Sequence, residues 1–143
     1  MGYRKVKDAS DATTLAASAL RSVTENGSAV RLPDAMQGLV CVLDVTVDES
    51  TAADTLDVFI QTKVDGTNWV DVIHFTQHVG NATAKRYIAK IAAATAQAEF
   101  ENGTALGAAA VRHLFGDEWR ARWVIVDDSA AAAFTFSVIV CPM

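Results

Sequence analysis

Three histidines, His74, His78 and His113, are the side chains best suited to acid–base or metal chemistry in this chain. His74 and His78 stand four apart, a spacing that would align them on a helix as a metal pair. They fall instead at the end of a β-prone run and in the turn beyond it, where that spacing aligns nothing. No GxSxG, P-loop, GxGxxG or CxxC pattern occurs. A Ser-His-Asp triad is a matter of geometry, and nothing in the order of residues supplies one. Asp117-Glu118 and Asp127-Asp128 sit in turn-like contexts and read as solvated turn residues. A calcium site on Asp127 and Asp128 would need further oxygens from a second loop. The expectation is no catalytic residue, no cofactor and no metal.

The stretch TLDVFIQTKVDGTNWVDVIHF, residues 55 to 75, offers the one compact motif. Asp65-Gly66 between two β-branched runs is a hairpin signal. A two- or four-residue loop there pairs Leu56 with Phe75, Val58 with Ile73, Ile60 with Asp71 and Thr62 with Trp69 on a core face. The opposite face then carries Asp57, Phe59, Gln61, Lys63, Val70, Val72 and His74. TKVDGTNW is similar to the Asp-box of sialidase propellers, but Asp65 and Gly66 are adjacent where the box separates them, and the motif occurs once. It also resembles the DG-x-x-W turn of discoidin-like carbohydrate-binding sandwiches, which implies a structural turn and Trp69 at the sandwich edge.

The elements that would position these residues are short and β-rich. LVCVLDVTV (39 to 47), AKRYIAKIA (84 to 92), WRARWVIV (119 to 126) and FTFSVIV (134 to 140) all read as strands. Asn26-Gly27 between LRSVT and AVRL predicts a further hairpin. The Ala- and Gly-rich segment from 93 to 116 predicts a loop followed by a strand at 109 to 115, with a helix as the competing reading. Residues 1 to 20 read as an arm that orders against something else, and 21 to 143 as one domain. Eight or nine strands at this spacing predict an all-β antiparallel sandwich, jelly-roll-like, with an extended N-terminal arm.

Composition limits the function classes. At 143 residues, 51% hydrophobic and 20% charged, the chain can bury roughly 70% of its unfolded surface without metal or disulfide staples. A net charge of −5 and scattered Lys and Arg argue against a nucleic-acid surface. No signal-peptide or membrane-length apolar run occurs. Cys41 and Cys141 read as free thiols of a reducing compartment, and the sequons at Asn26, Asn81 and Asn102 as turns.

NGSAV (26 to 30), the 55 to 77 segment, GDEWRARW (116 to 123) and FTFSV (134 to 138) occur in an order that resembles small β-sandwich structural proteins of tailed bacteriophages. About half the chain takes part. The resemblance implies a virion component, a capsid decoration or cement protein on the capsid exterior, made in the host cytoplasm, whose partners are the major capsid protein and its own copies as a dimer or trimer. A neck, tail or fibre-associated protein, or a carbohydrate-binding module, is the alternative. Independently, the outer faces carry many apolar residues: Val40, Val42, Phe59, Val70, Val72, Val124, Val126 and Ile139. Such surplus predicts a surface covered either by a partner or by the N-terminal arm or Ala-rich loop of the same chain. The interface residues expected are Tyr3, Arg4 and Leu15 of the arm with Phe59, Val70 and Val72.

Overall fold

Buried and solvent-facing side chains alternate along the main strands, and a strand that buries one face needs a second layer over it. The computed structural model describes residues 12–48, 53–81, 83–127 and 132–143. Among them ten strands form: β1 (Thr13–Arg21), β2 (Glu25–Asn26), β3 (Val30–Arg31), β4 (Gly38–Asp48), β5 (Thr55–Lys63), β6 (Trp69–His74), β7 (His78–Val79), β8 (Lys85–Ala92), β9 (Glu118–Val126) and β10 (Phe134–Pro142). No helix occurs among the described residues.

Two antiparallel sheets pack together. One is four-stranded in the order β1-β10-β4-β8; the other runs β2-β9-β5-β6, with β3 also on β9 and β7 also on β5. The pairings nest: β1 with β10, β2 and β3 with β9, β4 with β8, β5 with β6. The first half of the chain thus lies against the second half, with the β5–β6 hairpin at its tip. Leu39, Cys41, Leu43 and Val45 from β4 and Phe134, Phe136, Val138 and Val140 from β10 meet Leu56, Val58, Ile60, Trp119 and Ala121 in one core. Burial of a large aliphatic or aromatic side chain contributes about 1.5–3 kcal/mol, so this layer supplies most of the drive to fold.

The hairpin register differs from the expected one by a residue. Lys63 pairs with Trp69, Thr62 with Val70, Gln61 with Asp71, Ile60 with Ile73 and Phe59 with His74, with a bulge between Ile60 and Gln61. The connection is five residues, 64 to 68, and an odd loop shifts the alternation of the second strand. Gly66 takes φ +77° there, while the Asp65 carboxylate accepts from the Thr67 and Asn68 amides at 2.9 and 2.7 Å and from the Asn68 side chain at 2.7 Å. Val70 and Val72 therefore turn inward, and Trp69 and Asp71 turn outward. Ile73 and Phe75 stay buried because the bulge restores their phase.

Three other expectations are corrected. Asn26-Gly27 makes no hairpin: both flanking segments pair with β9, and the Gly27 amide donates to the Ala121 carbonyl at 2.7 Å. Residues 13 to 20, read as arm, belong to β1 on the edge of the four-stranded sheet, while residues 1 to 11 lie outside the described residues. The strand expected at 109 to 115 is reduced to one bridge, Val111 to Ile73. The loop around it is fixed by the buried Arg112, whose guanidinium donates to the Asp71 and Thr104 carbonyls and lies 3.9 Å from the Phe100 ring centroid.

Candidate functional site

The two outward faces of the sandwich carry different chemistry. On the four-stranded sheet the register aligns Thr14, Ile139, Val42 and Ile88 in one row across all four strands. The next row holds Cys141, Val40 and Lys90, and the row on the other side Ser137, Asp44 and Arg86. Ile88 is 68% exposed. The centre of this face is thus an apolar stripe, bounded by Lys90 on one flank and by the Arg86–Asp44 pair at 3.2 Å on the other. An antiparallel sheet facing water normally alternates apolar-in and polar-out, and here the alternation fails in the middle of the sheet.

The sheet edges are guarded. β8 presents Lys85, Arg86 and Lys90, charges that disfavour a strand adding alongside. β1 is uncharged from Thr13 to Leu20 but carries two register shifts, and Arg21 folds back over it. Its guanidinium donates to the carbonyls of Ala17 at 2.6 Å and Phe136 at 2.7 Å, and lies 4.7 and 4.5 Å from the Trp123 and Phe136 ring centroids. Burial lowers the Arg21 pKa from its ordinary value, while Glu25 opposes the shift.

The six-stranded sheet is cationic and aromatic outside. Arg120 lies 4.2 Å and Lys63 4.8 Å from the Trp69 ring centroid, and Arg122 lies 4.9 Å from that of Phe59. Phe59 in turn stacks on His74 at 4.0 Å. Lys63 pairs with Glu118 at 3.2 Å, Gln61 donates to Asp71 at 2.8 Å, and Arg120 donates to Gln61 at 2.7 Å.

His74 is the histidine that most resembles an acid–base group, with Nε2 2.8 Å from Asp57 and Nδ1 2.7 Å from the Leu106 carbonyl oxygen. That carbonyl can only accept, so Nδ1 must donate to it. Both ring nitrogens are therefore spent on protein partners, and the third member of a triad has no nitrogen to approach. His78 is buried against the Tyr87 hydroxyl at 2.9 Å, and His113 Nδ1 accepts from the Ala92 amide at 3.0 Å. No group of three His, Cys, Asp or Glu among the described residues is placed to hold a metal. A cleft of about 290 Å³ opens between β8 and the loop at Ala109, which takes φ 64°. Its polar lining is His74, Thr76, Arg86 and Tyr87, of which His74, Arg86 and Tyr87 are engaged as above.

Of the expected interface residues, Leu15 (5% exposed), Val70 (5%) and Val72 (0%) lie in the core. Phe59 is half-buried on the outer face of the six-stranded sheet, and Tyr3 and Arg4 lie outside the described residues. What alternation alone missed is Ile88, whose outward parity was visible but unused, and the row it completes with Val42 and Ile139. Cys41 and Cys141 form no disulfide; Val140 opposite Cys41 and Cys141 opposite Val40 put the two thiols on opposite faces of the sheet. No family model matches the chain, and no curated protein or solved structure matches it.

Proposed function

We propose that this chain is a non-enzymatic assembly protein of a tailed-phage virion, a capsid decoration protein on the exterior of the head that binds its own copies and the major capsid protein. The observation that carries the self-association is the apolar row Ile139, Val42 and Ile88 on the four-stranded sheet. A second copy is the occupant that fits it: the flanking charges, Lys90 on one side and Asp44 with Arg86 on the other, include both signs, so two copies can meet without like charges opposed throughout. The guarded edges favour contact through the face and not by strand addition.

The sandwich we propose is a jelly roll. Nested pairing of the first half of the chain with the second, split between two sheets, is the pattern of a jelly roll, an architecture that capsid proteins use widely. The order of segments quoted above supports the phage assignment. The carbohydrate-binding alternative has less support, because Lys63 and Arg120 occupy the π surface of Trp69 on which a sugar would stack.

The test is co-sedimentation of the purified chain with empty heads of a phage that encodes it beside a major capsid gene. Saturable binding at a fixed ratio per capsomer is expected. Absence of binding, or saturable binding to a glycan panel lost on Trp69→Ala, would overturn the assignment.

A further inference from the structure

Arg120 and Arg122 are two residues apart on β9, so both project from the same outer face at roughly 6.8 Å spacing along the strand. Each guanidinium lies over an aromatic ring, Arg120 on Trp69 at 4.2 Å and Arg122 on Phe59 at 4.9 Å. Stacking holds a guanidinium plane in place and leaves its N–H edges directed sideways. Arg120 spends Nε on Gln61 at 2.7 Å, which fixes its plane further. Among the described residues neither arginine has a hydrogen-bonded carboxylate.

The face does contain carboxylates, and each is engaged elsewhere. Glu118 pairs with Lys63, Asp57 lies 2.8 Å from His74 Nε2 and accepts from Gln77, and Asp71 accepts from Gln61. Asp71 still acts on Arg120 through space, offsetting in part the lowering of the Arg120 pKa by burial and by the neighbouring Arg122. Two like charges kept side by side and partly desolvated are costly unless an anion joins them. The two guanidiniums thus stand side by side, their charge offset only in part by the Asp71 carboxylate.

We infer that the outer face of the six-stranded sheet binds an acidic polypeptide segment in extended conformation, with carboxylates at alternate positions engaging Arg120 and Arg122. Side chains at i and i+2 of an extended segment repeat at the same interval as those of β9. Carboxylate matches the bidentate edge of a guanidinium. A nucleic-acid backbone fits less well, because Asp57, Asp71 and Glu118 surround the pair and would face a continuous run of phosphates. This surface is on the opposite side of the sandwich from the apolar stripe and does not depend on self-association there.

The experiment uses the full chain and a peptide of about eight residues alternating Glu with Thr, with the Gln-for-Glu peptide as control. Trp119 and Trp123 are buried, so ligand-induced change in the accessible tryptophan emission reports on Trp69. Expected are saturable binding of the Glu peptide, weakening with added salt, at least tenfold loss in Arg122→Gln, and loss in the Arg120→Gln/Arg122→Gln pair. Arg122→Lys, which keeps charge and fold but not the two-pronged edge, is expected to weaken binding several-fold. Equal binding of the Gln peptide, no saturable binding, indifference to Arg122→Lys and Arg122→Gln, or tighter binding of a short single-stranded oligonucleotide would overturn the inference.

Discussion

Val72→Thr separates the observed hairpin register from the alternation expected of an even-numbered loop. Val72 is 0% exposed and belongs to the core cluster. Threonine has nearly the same shape and an equally good strand propensity, so backbone and packing terms largely cancel. What remains is a hydroxyl placed in an apolar layer. In an extended strand it cannot reach the carbonyl four residues back that satisfies a helical threonine. A buried hydroxyl without a partner costs about 1–3 kcal/mol, and the central value of about 2 kcal/mol corresponds to a fall in melting temperature of roughly 6 °C for a chain of this length. Urea and thermal unfolding at protein concentrations below the association range give both quantities, with Ile88→Thr as the control. Ile88 is 68% exposed, so the isolated chain should unfold within about 0.5 kcal/mol of the parent in that variant. A Val72→Thr loss below about 0.5 kcal/mol would refute the register and return Val72 to the outer face.

Further outcomes follow from single positions. Gly116→Ala should destabilise by about 3 kcal/mol in urea titration, because a Cβ there overlaps the Lys63 carbonyl and the strand end it belongs to cannot move aside. The Asp65 carboxyl, held down first by the Asn68 amide and then by the Asn68 side chain and the Thr67 amide, should titrate at about 2 by carbonyl-detected NMR. A depressed folded pKa means this turn stabilises the chain above the ordinary value of 3.8 and loses that contribution as the pH falls toward about 2; a midpoint near 3.8 would contradict the hydrogen bonding described. In native protein a thiol reagent should label Cys141 and leave Cys41 until unfolding, since burial both shields Cys41 and pushes its thiol pKa up. Labelling of Cys141 should also slow as protein concentration rises, because it lies beside Val40 and Ile139 on the stripe.

Strands built from β-branched and aromatic runs were legible from residue type. Residues 39 to 47, 84 to 92, 119 to 126 and 134 to 140 correspond to β4, β8, β9 and β10 within one or two positions. β1 was hidden because Thr-Thr-Leu-Ala-Ala-Ser-Ala has the composition of a helix or linker; its strand conformation comes from pairing with β10, more than 110 residues away in the chain. Asn26-Gly27 misled for a related reason: a local turn signal was overruled by two separate pairings to β9. The faces of β6 were misassigned by the length of one loop, since a strand's period of two converts a single residue into a complete inversion. Loop 93 to 117 carried no periodic signal, and the residue that organises it, Arg112, acts through carbonyls and a ring that no spacing rule links. The cation–aromatic face emerged only in three dimensions, because it joins side chains of β5, β6 and β9. The apolar stripe, by contrast, was half visible in the outward parity of Val40, Val42 and Ile139.

The central claim, that the outer face of the four-stranded sheet is an association surface between copies, is tested most directly by sedimentation equilibrium of the parent chain and Ile88→Arg across the micromolar range. The parent should sediment as a dimer or trimer and Ile88→Arg as a monomer with an unchanged unfolding midpoint at low concentration, because Ile88 contributes little to the fold of one chain. A parent that remains monomeric throughout that range, or an Ile88→Arg variant that associates as the parent does, would contradict it.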